Sequence, residues 1–246
     1  LATYALLAGA LLRVVLIAIL DPHFVDFYCF VDATQALMHG LDPHKLENLH
    51  FTRWQEAPLV YPGLTLFFIP FALVGPEIGK YIFYVLNVAM GVAYYAVVVR
   101  ASGLCTRFSL RTPDVQTFMV TFGAFLFVNS VFFTLCIRVG QVSLLVSLFL
   151  FLTIVSRRRG VGIVLFGLAA VVKYSQVPVL GLLYLLNRFR FVFCLLSFSV
   201  FAAVSAFPIL FGHNLADLYR SYYECLMRWV APGAANSFAM SGHTMI

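Results

Sequence analysis

Long, almost charge-free runs of apolar residues dominate the chain, at 1–20, 59–75, 80–99, 115–136, 139–155, 160–172, 176–187 and 191–211. As helices, runs of about 18–20 residues are long enough to cross a hydrocarbon core of roughly 30 Å. The pattern predicts an all-α, polytopic transmembrane helical bundle. One stretch departs from it: 21–58 holds six acids against Lys45 and Arg53. Within it Phe27, Phe30, Val31, Thr34, Leu37, Met38 and Leu41 recur at helical spacing, and Asp32, Gln35 and His39 fall away from that stripe. This predicts an amphipathic helix at the membrane interface, ended by Gly40, with Asp32 on its wet face.

Composition narrows the class further. Hydrophobic residues make up 62% of the chain and charged residues 11%, too little polar surface to coat a soluble fold of 246 residues. The run 1–20 lacks a basic start and a small-residue cleavage site, so it reads as the first helix and not as a signal peptide. The chain opens without Met and stops at Ile246, and we read 1–246 as a single transmembrane domain and a fragment of a longer protein. The five cysteines show no CxxC pairing and read as small apolar fillers. The net charge of +6 sits at helix ends, where it sets topology and does not point to nucleic acid.

The basic clusters are Arg100/Arg107/Arg111, Arg157/Arg158/Arg159 and Arg188/Arg190. The positive-inside rule puts them in the cytoplasm and 21–58 outside. All three land inside only if 59–75 dips into the membrane and returns. Its Pro58, Pro62, Pro70, Gly75 and Pro76 suit such an interrupted helix. By the same logic 160–187 is a hairpin of two short arms, its tip Lys173-Tyr-Ser-Gln near the outer face. The outer face then collects 21–58, the turn 136–141, that tip, and the tail from His213.

Ionisable groups at membrane depth are costly and are usually paired or functional. Arg138 and Lys173 each read as functional or as snorkelling to the headgroups; Arg13 reads as a snorkelling or interhelical pair residue. Asp26, just before the first apolar residue of the amphipathic helix, reads as an N-cap, as a general base, or as both. Gly140-Gln141 either orients a substrate or starts a closely packed helix. Tyr61-Pro62 is a helix start or a contact point, and Asn236-Ser237 binds substrate or caps a following helix. The histidines show no paired metal-ligand spacing, and no metal site or cofactor is expected.

In order along the chain, several short motifs resemble GT-C fold, polyprenyl-phosphate-sugar-dependent glycosyltransferases, particularly the family 87 α-mannosyltransferases. They are Asp26 with Ala33, Ala36, Gly40, Asp42 and Pro43; "YPGL" from Tyr61; "GQVSLL" from Gly140; "GLAAVVKYSQVP" around Lys173; and "ANSFAMSGH" near the end. Gly63 replaces a second Pro of the family pattern, and His44 stands where Tyr is common. The resemblance implies an inverting sugar transfer, with mannose as the sugar, from a polyprenyl-phosphate donor to a lipid-linked or glycan acceptor, on the periplasmic face of a bacterial plasma membrane. It makes Asp26 the base. Arg138, Lys173 and His243 become the cations for the departing phosphate, and Gln141, Tyr61, His44, Asn236 and Ser237 the remaining substrate contacts. A multi-pass transporter or lipid flippase is the rival class. It predicts inverted repeats and polar groups on both sides, and the acids here concentrate on one. A non-catalytic scaffold would not need the Asp26 carboxylate.

Overall fold

The computed structural model describes residues 1–20, 24–50, 59–103, 108–110, 114–156, 158–173, 178, 182 and 191–230. Its helices are α1 (Ala2–Leu20), α2 (Val25–Met38), α3 (Ile69–Val74), α4 (Pro76–Ser102), α5 (Val115–Val128), α6 (Val131–Val139), α7 (Ser143–Val155), α8 (Arg159–Val172), α9 (Phe191–Ser205) and α10 (Leu215–Val230). Short 3-10 turns cover Leu46–Asn48, Pro62–Phe68 and Phe207–Phe211, and no strand occurs among the described residues. The chain is an all-α polytopic helical protein.

Ala2–Ile19, Pro76–Ser102 and Phe191–Phe211 are long and apolar enough to cross a bilayer. α5 and α6 make a fourth span if the pair, bent by 52°, is taken as one. The bend has a chemical cause. Asn129 bonds back to the Phe125 carbonyl at 2.8 Å, and the Ser130 hydroxyl caps α6 by accepting from the Phe133 N–H at 3.2 Å. These polar side chains close one helix and open the next. The outward faces of the long helices are apolar, with Leu11, Val85, Leu126 and Leu195 exposed, as lipid contact requires.

Side-chain contacts fix the helix directions. α1 runs parallel to α5–α6: Tyr4 donates to the Leu110 carbonyl just ahead of α5, and Ile17 packs on Phe133, Cys136 and Ile137 of α6. α4 runs the opposite way, its Tyr84 reaching Val14 of α1 and its Tyr95 reaching Val120 of α5. α7 runs with α4, where Tyr94 and Phe151 meet, and α8 returns along α7, where Thr153 bonds the Gly162 carbonyl. One end of the bundle therefore gathers the ends of α1, α6 and α8 and the starts of α2 and α7. Arg100, Arg158 and Arg159 stand at the other.

The segment 62–74 rises roughly 23 Å, short of a hydrocarbon core. At Gly75 (φ 88°) the chain doubles back, so that α3 lies beside the first turns of α4, with Phe71 against Gly79 and its ring 5.5 Å from that of Phe83. α8 stops at Lys173, where the hairpin tip was expected. The second arm, 176–187, lies outside the described residues apart from 178 and 182.

α2 differs from its expected setting. Asp32 was expected on a wet face but is only 1% exposed and accepts the His50 backbone N–H at 3.0 Å. Cys29, Ala33 and Ala36, also off the predicted stripe, are buried too. The reason is coverage from several sides. The Pro62–Phe68 turn, α3 and α4 pack on one part of α2, and His213, from beyond the last 3-10 turn, bonds the Leu37 carbonyl at 2.8 Å. α10 carries the amphipathic character instead: Leu218, Tyr222 and Cys225 face inward, while Arg220, Glu224 and Arg228 are exposed.

Candidate active site

A cleft of about 220 Å³ opens where the starts of α2 and α7 meet the end of α8. Asp26, Gln141, Ser143 and Lys173 supply its polar lining and Phe30, Leu64, Val142 and Val172 most of its apolar wall. One contact ties the cleft to α4. The Asn87 side-chain amide donates to the Gln141 carbonyl at 3.2 Å, and Asn87 lies 11 residues into α4. Gln141 therefore lies level with a point roughly 16 Å along α4 from its start. α7 and α8, with 13 and 14 residues, are each shorter than a full span.

Asp26 is not the N-cap. That position belongs to Phe24, which adopts φ 45° and donates its N–H to the Arg138 carbonyl at 3.0 Å. Asp26 lies in the first turn, leaving its carboxylate to point into the cleft. The αL backbone of a bulky residue costs about 1–2 kcal/mol, a strain of the kind that collects at functional sites. Phe27 is packed so closely on Gly140 (φ 77°) that a Cβ at 140 would stand 2.8 Å from its own Cβ. Phe27 also joins Phe68, Phe71 and Phe83 in an aromatic core. α2 is thus pinned at both residues that matter for aiming Asp26.

Burial pushes the Asp26 carboxyl up to about 6, against a hydrogen bond from Gln141 and the charge of Lys173, which both pull it down. A carboxylate with that balance takes a proton readily near neutral pH. The Gln141 oxygen accepts from the Ser143 hydroxyl at 3.4 Å, which leaves its amide nitrogen for Asp26. Lys173 is exposed at the rim. α7 opens into the same cleft with no side-chain cap at Val142, so its N-terminal N–H groups add partial positive charge there.

Of the residues expected at a site, the structure brings Asp26, Tyr61, Gln141 and Lys173 to this cleft. Tyr61 donates to the Ser205 hydroxyl at 2.9 Å and stacks on Phe201 at 5.8 Å. Arg138 is on α6, half-buried, and does not line the cleft. His44 does not line the cleft. It is 1% exposed, packed on Tyr222, and bonded to the Val60 carbonyl at 3.0 Å. Its neighbour Asp42 secures α10 by accepting from the Ser221 hydroxyl at 2.6 Å. Burial would raise the Asp42 carboxyl, but bonds from His44 and Ser221 outweigh it and hold it down to about 2. Asn236, Ser237 and His243 lie outside the described residues. Sequence reasoning missed Asn87, Phe30 and Ser143. Asn87 did carry a signal, as the one amide inside the apolar run 80–99.

The sequence model of a family described as "Glycosyltransferase family 87" matches residues 60–244 of this chain, so α2 and Asp26 precede the matched stretch. No curated protein and no solved structure shows significant similarity to it.

Proposed function

Because the chain belongs to glycosyltransferase family 87 and is a membrane glycosyltransferase, we propose that it moves a sugar, mannose before other hexoses, from a polyprenyl-phosphate donor to a lipid-linked or glycan acceptor, with inversion, on the outer face of the membrane. The observation that carries this reading is the recessed cleft that joins Asp26, Gln141 and Lys173. Its depth and apolar wall suit a donor delivered from the lipid phase.

Asp26 takes the proton of the acceptor hydroxyl as that oxygen attacks the anomeric carbon. The bond from that carbon to the phosphate oxygen breaks, and the electron pair leaves with the polyprenyl phosphate. That leaving group departs as an anion, so one base suffices. Lys173 and the N-terminus of α7 stabilise the charge as it develops. Water then accepts the proton from Asp26. The arginines at the far end of the bundle support the orientation, since such residues favour the cytoplasm.

The full-length protein in lipid vesicles should transfer sugar from a polyprenyl-phosphate sugar and not from the corresponding nucleotide sugar. Efficient transfer from the nucleotide sugar alone would overturn the donor assignment. Lys173→Met is expected to lower kcat/KM on the order of ten- to a hundredfold, below the full effect of a buried anion-stabilising group because the lysine is exposed. Steady-state kinetics in donor concentration checks this. Sidedness has its own test: Glu77→Cys, at the start of α4, should react with an impermeant maleimide added outside intact cells. Labelling from the cytoplasmic side only would reverse the orientation.

A further inference from the structure

Asn87 is 1% exposed in the middle of α4, yet its side chain is only half used. Its amide nitrogen bonds the Gln141 carbonyl, while its oxygen is buried with no hydrogen-bond partner. A buried, unpaired carbonyl oxygen costs about 1–3 kcal/mol, and an apolar residue would serve plain packing in this helix better. Such a cost, borne one contact away from a cleft, marks a residue kept for what it holds in place. What it holds is the turn between α6 and α7, where Gly140 leaves no room for error against Phe27.

We propose that Asn87 is a positioning residue for sugar transfer: it fixes the Gln141 peptide and, together with Ser143, aims the Gln141 amide at Asp26, keeping the base oriented and ionised. The inference rests on the reading of Asp26 as the base. The two partners divide the work on Gln141. Asn87 holds its main chain, and the Ser143 hydroxyl takes its side-chain oxygen. Gln141 and Asp26 line the same cleft, and an amide N–H beside the carboxylate disfavours its protonation.

Other charged and titratable groups surround Asp26 and stay in place in the variants below. Lys173 faces it from the end of α8, and the Cys136 thiol from α6. Arg138 is also on α6, and Tyr61 lines the same cleft. On α4, Glu77 and Lys80 pair with each other and with Tyr28. Asn87→Leu and Gln141→Leu alter none of these, so a change in their pH profile reports the amide; Ser143→Ala also removes a bond to the Cys136 thiol.

The test is the pH dependence of kcat/KM for the reconstituted full-length protein, with melting temperatures measured alongside. Gln141→Leu should move the acidic limb up by about one pH unit, the worth of one hydrogen bond to a charged group. Asn87→Leu should move it the same way by a smaller amount and lower kcat about tenfold, while donor KM stays within twofold and the melting temperature changes little, because the swap removes the orphaned Asn87 oxygen but leaves the Gln141 carbonyl without its donor. A purely structural Asn87 predicts the reverse, a lower melting temperature with an unmoved limb, and that result would overturn the proposal. Should Asn87→Leu fail to reach the membrane, Ser143→Ala carries the test, because it frees the Gln141 oxygen without touching α4. An unmoved limb in both Gln141→Leu and Ser143→Ala sinks the proposal. Asp26→Asn separates this failure from that of the underlying reading. If Asp26→Asn keeps full transfer, the base assignment itself is wrong; if it is inactive while the other variants keep the native limb, only the role of Asn87 and Gln141 falls.

Discussion

Asp26→Asn is expected to reduce sugar transfer by about 10²- to 10⁴-fold, the usual worth of a general base, while making the folded protein more stable at neutral pH. The two halves of this result have one cause. Burial raises the carboxyl to about 6 from its ordinary 3.8, so the folded protein binds this proton more tightly than the unfolded chain does. A raised acid favours the folded state fully below its unfolded value, and that contribution fades as pH rises through the folded value. Above pH 6 the ionised group therefore costs stability, on the order of 1–3 kcal/mol. Asn has the same shape and no charge, so it should melt at a higher temperature than the native protein at pH 7–8, with the gap closing below pH 4. Thermal melts in detergent across that range, paired with a transfer assay, check both halves. Unchanged transfer would end the assignment of Asp26; a lower melting temperature at pH 8 would contradict its burial as a charge.

The second large effect is expected at Gly140. Ala there meets two obstacles: the backbone is left-handed at φ 77°, and the new methyl would lie 2.8 Å from the Phe27 Cβ and 3.2 Å from its backbone nitrogen. The first costs about 1–2 kcal/mol and the second about 1–3, so Gly140→Ala should destabilise by roughly 2–5 kcal/mol. The only relief is to push α2 away, which carries Asp26 off target and lowers transfer as well. Gly103 is the built-in control. Its backbone is left-handed too, at φ 68° and ψ 8°, but nothing lies within 4 Å of a Cβ built there. Gly103→Ala should therefore cost about 1–2 kcal/mol and leave transfer largely intact. Equal losses at the two positions would show that strain, and not the clash with Phe27, explains Gly140.

Much of this architecture was legible because membrane helices announce themselves. The long spans and the short 62–74 segment follow from apolar length and proline placement. Asp26, Gln141, Tyr61 and Lys173 stood out as polar residues at the ends of apolar runs, and those ends converge. Periodicity failed for α2. It reports one buried stripe, whereas Asp32 is covered by a loop that reaches it from His50, a contact that no local pattern encodes. The burial of His44 was illegible for a similar reason, since it depends on Tyr222, 178 residues later. Gly63, a departure from the family pattern, also makes sense only in three dimensions: a Cβ there would sit 3.1 Å from Val171 and 3.2 Å from Ser205. Asn87 was visible, but its meaning depended on which carbonyl it met.

The bond from Ser221 to Asp42 and the bond from His213 to Leu37 also constrain how the protein is made. Each joins residues more than 170 positions apart, so α2 leaves the ribosome long before the segments that cover it exist. At the typical synthesis rate of about 5–20 residues per second, the interval is roughly 9–35 seconds. During that time the Leu37 carbonyl and the Asp42 carboxylate lack these partners. The end of α2 and the Asp42 turn are therefore completed only once residues 213–221 have been made, and a chain truncated before them leaves both without these bonds.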